Sequence, residues 1–140
     1  MDQQQKAAAV VQKMMEKDAM SQWLGIEVIE VNKGFSRLKM VVRPEMLNGF
    51  KIAHGGITYS LADSALAFAY NGHGQKAVSI ETSIAHLKPV FSGDELTATV
   101  EEKSLQNRIA LYEVRVENQS GILVALFRGT VYRKNEVWII

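Results

Sequence analysis

The stretch ITYSLADSALAFAY, residues 57–70, decides the architecture. It contains four alanines and no proline or glycine, and its apolar side chains fall nearly all round a helical wheel. A helix of that kind is buried on most of its sides. Gly72 and Gly74 follow and are expected to stop it. One long apolar helix needs a layer that wraps it, and a sheet does this best.

The flanking sequence supplies such a sheet. Upstream, residues 25–31 (GIEVIEV) alternate with period two, Asn32-Lys33-Gly34 forms a turn, and residues 35–42 return as a second strand ended by Pro44. Downstream, four strand-like segments span 77–87, 94–104, 108–117 and 122–133. Pro89 with Ser92-Gly93, then Leu105-Gln106-Asn107, then Gln119-Ser120-Gly121 separate them. Connections this short favour antiparallel pairing. The expected fold is α+β: a curved six-stranded antiparallel sheet around a central helix. Residues 3–19 add a weakly amphipathic N-terminal helix, read as a lid or packing helix.

A chain of 140 residues suits one domain, residues 1–140. It divides into an N-terminal helix (1–20), a core (21–134) and a tail (135–140) whose Ile139-Ile140 end is apolar enough to pack on a neighbour. Net charge is +1, without a basic block, which argues against nucleic-acid and anionic-membrane partners. Cysteine is absent, so disulfides, thiolate zinc sites and a cysteine nucleophile are excluded. No apolar run reaches the ~18 residues that a membrane span requires, and the cytoplasm is the expected compartment.

Chemistry concentrates in Asn48-Gly-Phe50-Lys-Ile-Ala-His54-Gly55-Gly56 and in Asp63. A glycine pair opening a buried helix leaves unpaired N–H groups at a positive helix end, suited to a phosphate, a carboxylate or a developing oxyanion. A plain N-terminal turn accounts for the same residues. Asp63 is the only charge between Lys51 and Lys76 and lies in the most apolar helix. It is either a functional carboxylate or part of a narrow exposed stripe with Ser60 and Ser64. His54 is an acid, a base or a loop-holding hydrogen-bonder. His73 and His86 have no motif around them. Without cysteine or a histidine–carboxylate cluster, no metal site is expected.

At these residues the chain resembles the PaaI-type branch of the hotdog-fold thioesterases. The run LNGFKIAHGGITYSLADSALAFAYN (47–71) carries the resemblance, with LGIEVIEV (24–31), LKPVFSGDELTATVE (87–101) and LVALFRGTVYR (123–133) beside it. The resemblance implies an acyl-CoA thioesterase that needs no cofactor, coenzyme A being part of the substrate. It implies aryl-acetyl-CoA, such as phenylacetyl-CoA or hydroxyphenylacetyl-CoA, as the foremost substrate. The Gly55 N–H would bind the thioester oxygen, with Gly56 next to it. Asn48 would orient or polarise the same group. Asp63 would come from the other subunit as base or nucleophile, His54 would support the site, and Ser79 matches a water-positioning serine. Phe50 stands where relatives often carry a polar or small residue and would shape the acyl pocket. Lys88, Arg108 and Arg128 are the candidate cations for the CoA phosphates. The implied assembly is a homo-oligomer, a dimer at least and a tetramer built from two dimers, with shared active sites.

Two other readings share the fold. One is a hydratase or dehydratase of enoyl thioesters, in which an Asp usually precedes a His on one loop. Here His54 precedes Asp63. The other is a non-catalytic acyl-CoA-binding protein, against which the joint presence of Asn48 and Asp63 speaks.

Overall fold

Residues 1–140 are described by a computed structural model. Helix α1 (Gln3–Met15) opens with a capping box in which the Asp2 carboxylate accepts from the Gln5 N–H. It buries Ala7, Val10 and Val11, with Met14 and Met15 packed on the core behind them. The expected single helix over 3–19 is in fact two. The Asp18 side chain accepts from Ser21 N–H and restarts the chain as α2 (Ala19–Leu24). Gly25, left-handed at φ 73°, ends α2.

Strands β1 (Glu27–Asn32) and β2 (Phe35–Val41) form the expected hairpin. A 3₁₀ turn (Pro44–Met46) leads into the loop before α3 (Gly55–Asn71). Helix α3 begins two residues before the apolar stretch, so both glycines lie in its first turn. Gly72 follows as the C-cap, where the stop was expected. Its backbone stays right-handed, and its smallness serves a close approach, since a Cβ there would stand 2.6 Å from the Asn32 carbonyl oxygen. The turn is made at Gly74, φ +88°.

The rest of the chain is β3 (Gln75–His86), β4 (Glu95–Leu105), β5 (Ile109–Glu117) and β6 (Leu123–Val137). All pairings are antiparallel, in the order β1-β2-β4-β5-β6-β3. Helix α3 touches all six strands, so the sheet curls around it in the hotdog arrangement. Leu61, Leu66 and Phe68 of α3 are fully buried against Leu38, Leu96, Val114 and Phe127. Each such side chain stabilises the fold by about 1.5–3 kcal/mol.

The last strand runs past its expected end at residue 133. Strand β6 extends to Val137, and Trp138 then turns onto its own chain. Its N–H donates to the Gly74 carbonyl and its indole Nε1 to Asn71 Oδ1. No helix is long and apolar enough to cross a membrane.

Candidate active site

A loop held by its own backbone precedes α3. Asn48 N–H donates to the Ile52 carbonyl at 2.8 Å and Lys51 N–H to the Asn48 carbonyl at 3.0 Å. This tight closure puts Lys51 in the left-handed region, φ 62°, a conformation costly for a residue with a side chain. Asn48 Oδ1 accepts from the N–H groups of Phe50 (2.9 Å) and Ile52 (3.4 Å). That occupies the acceptor end of the amide and leaves Nδ2 as a free donor.

His54 is the N-cap of α3, and its Nδ1 accepts from Gly56 N–H at 2.9 Å. The Ile57 N–H is taken by the His54 carbonyl. In the first turn the Gly55 N–H is left without a partner in the chain. The two glycines therefore differ: Gly55 offers a donor, while the N–H of Gly56 is committed to the cap.

A cleft of about 400 Å³ lies at this end of α3. Asn48, Gly55, Thr58, His86 and Lys88 line it with apolar walls from Ile52, Val90 and Val124. His86 had no motif to mark it. Its Nε2 lies 3.0 Å from the point where a Cβ on Gly55 would stand. A side chain on Gly55 would therefore crowd the imidazole.

Asp63 is not in this cleft. Eight positions along α3 place it about 12 Å from Gly55. It is half-buried, and burial raises its carboxyl above the ordinary range, with the Asp18 charge adding to the effect. Tyr70, two turns further on, has its hydroxyl pushed up to about 12 by burial and then by the Asp63 charge, with Ser79 of β3 acting in the opposite direction. The Asp63 charge therefore reaches Tyr70, a residue that nothing in the sequence marked. Within one chain the Gly55 end of α3 and Asp63 are kept apart.

The remaining predicted residues are dispersed. Phe50, 87% exposed, sits at the loop tip and does not line the cleft. Lys88 borders the cleft. Arg108 lies at the far end of the sheet, donating to the Arg133 carbonyl. Arg128 is on the outer face of β6 beside Glu113, 3.6 Å away. Within one chain neither arginine joins Lys88.

A family profile described as the thioesterase superfamily matches residues 50–125, which span the Gly55 end of α3, Asp63 and β3. The chain belongs to the thioesterase superfamily. As a member it is a thioester hydrolase. It is 42% identical to the acyl-coenzyme A thioesterase PaaI of Escherichia coli over 86% of this chain and 86% of that protein. The structure of the Escherichia coli PaaI protein from the phenylacetic acid degradation operon superposes with a TM-score of 0.94, covering 97% of this chain and 99% of that one at 38% identity. A mutant of the phenylacetic acid degradation protein PaaI from Thermus thermophilus matches with a TM-score of 0.80 and 38% identity, over 84% of this chain and 100% of that one. A hypothetical thioesterase from Streptococcus pneumoniae, crystallised with coenzyme A, matches with a TM-score of 0.84 and 25% identity over 90% and 98%. In this thioesterase the Gly55 N–H and the Asn48 Nδ2 are free donors at the cleft, and Asp63 is the half-buried carboxylate of α3.

Proposed function

We propose that this thioesterase hydrolyses acyl-CoA thioesters to the free acid and CoA, with aryl-acetyl-CoA, such as phenylacetyl-CoA or hydroxyphenylacetyl-CoA, as the foremost substrate. The observation that carries the reading is the unpartnered Gly55 N–H beside the turned-out Asn48 amide, at the positive end of a buried helix. The PaaI relatives and the Streptococcus pneumoniae thioesterase with coenzyme A support the substrate class.

The chemistry asks little of the protein. A thioester carries a good leaving group, so the needs are a polarised carbonyl and one carboxylate. The thioester oxygen accepts from Gly55 N–H and Asn48 Nδ2. Asp63 of the partner subunit draws a proton from an attacking water or attacks the carbonyl carbon itself. The tetrahedral intermediate collapses and expels the CoA thiolate. Ser79 positions the attacking water, as the resemblance implies, and His54 fixes the helix end. Lys88 is the CoA-phosphate cation within reach of the cleft, and Arg108 and Arg128 serve only from another chain of a dimer of dimers. The resemblance also carries the expectation of a cytoplasmic enzyme.

Thiol release from aryl-acetyl, benzoyl and straight-chain acyl-CoAs tests the reading. Aryl-acetyl-CoA is expected to give the highest kcat/KM. Binding without any thiol release would show a sensor instead of an enzyme.

A further inference from the structure

We propose that His86 is a catalytic residue of this chain, donating a hydrogen bond from Nε2 to the thioester oxygen beside the Gly55 N–H. The inference rests on the thioesterase reading and adds to its site a donor outside the 47–71 run.

Three observations converge. First, the imidazole lines the cleft with Asn48 and Gly55. Second, Nε2 lies 3.0 Å from the Cβ position of Gly55. A Cβ is about 2.5 Å from its own nitrogen, so Nε2 is within about 5.5 Å of the Gly55 nitrogen. Two hydrogen bonds of about 2.8 Å span that distance, so one oxygen can accept from both. Third, Nε2 has no partner in the chain, whereas Nδ1 is held 3.3 Å from the Thr58 hydroxyl.

Thr58 lets the ring suit two occupants. Its hydroxyl lies 3.1 Å from the Gly55 carbonyl and 3.3 Å from His86 Nδ1, and it has one hydrogen to give. When it donates to the carbonyl, Nδ1 carries the imidazole proton and Nε2 is an acceptor, which suits a water in the cleft. When it turns to donate to Nδ1, Nε2 carries the proton and faces the cleft as a donor. The change releases the Nδ1 proton to water and takes one up from water at Nε2, one proton for one. The Gly55 carbonyl keeps its helical bond from the Tyr59 N–H. A thioester oxygen only accepts, so its arrival selects the donor form.

The test is the kinetics of His86→Phe and His86→Gln on the best acyl-CoA of the panel. Phenylalanine keeps the ring and removes the donor, and the glutamine Nε2 reaches the place of the imidazole Nε2. His86→Phe is expected to lower kcat about 10²-fold with little change in KM, the loss typical of one oxyanion donor. His86→Gln is expected to stay within about tenfold of wild type, since its amide supplies the same donor. Wild-type kcat in folded His86→Phe, an effect on KM alone, or equal losses in both folded variants would each overturn the role of His86 while leaving the thioesterase reading intact. A wild-type protein that releases no thiol from any acyl-CoA overturns that reading and this proposal with it.

Discussion

Asp63 illustrates how a single residue trades stability for chemistry. Its carboxyl is raised first by burial and then by the Asp18 charge, so the folded protein holds its proton to higher pH than the unfolded chain does. Stability contributed by the protonated form is therefore full below the ordinary carboxyl range and is lost as pH climbs through the raised value. Asp63→Asn should leave the melting temperature unchanged near pH 3 and raise it at pH 7, while lowering kcat about 10²–10⁴-fold, the usual worth of a positioned base. A variant that melts lower at pH 7, or that turns over at the wild-type rate, would contradict this. The neighbour offers a subtler measurement. Asp18→Asn keeps a good N-cap for α2 and removes the charge. The Asp63 carboxyl should then fall, and the acid limb of kcat/KM should move to lower pH. An unmoved limb would mean that Asp63 is not the group titrating there.

At the scale of elements, packing is specific enough to test at one glycine. A Cβ on Gly129 of β6 would stand 2.5 Å from Leu66 Cδ2, and Leu66 is fully buried in α3. Gly129→Ala should cost about 1–3 kcal/mol in denaturant unfolding. Adding Leu66→Val should recover part of the loss, and a strictly additive double mutant would refute the clash. The elements also explain what was legible. Helix α3, the hairpin and the four later strands each announced themselves by period and turn residues, and their observed ends differ from the expected ones by only a few residues, chiefly at the end of β6. The break between α1 and α2 was missed because both sides favour helix, and Asp18 acts only through its capping side chain. His86 was hidden for a different reason. Ala77 and Ser79 face α3, so simple alternation would turn residue 85 inward and residue 86 outward. A bulge between Ser79 and Glu81 shifts the phase by one, and Thr82, Ile84 and His86 face the helix instead. A bulge leaves no reliable mark in one sequence. Tyr70 was overlooked because an apolar helix makes its aromatic residues look like packing alone.

The whole molecule has two sheet edges, and they are not alike. β1 is short, carries Glu27 and Glu30, and has a bulge between Val28 and Glu30, all features that discourage edge pairing. β3 is twelve residues long, pairs with β6 alone, and exposes Val78 at 42% and Ile80 at 59%. The β3 edge is therefore the one that a second copy should join, continuing the sheet across a two-fold axis. A shared site would give such a dimer a purpose, because Asp63 stands about 12 Å along α3 from the Gly55 of its own chain. The expected consequence is complementation. Asp63→Asn and Asn48→Ala proteins are each inactive when the reaction needs both residues in one site. On mixing equal amounts and allowing subunits to exchange, half of the dimers are mixed, and each of these holds one site with both residues intact and one with neither. Activity per subunit should rise to about one quarter of wild type for random exchange in a two-fold dimer. Thiol release assayed before and after exchange measures it, with a mass-labelled subunit to show that mixed dimers formed. Demonstrated exchange without recovered activity would mean that Asn48 and Asp63 act within a single chain, and the shared-site arrangement would be wrong.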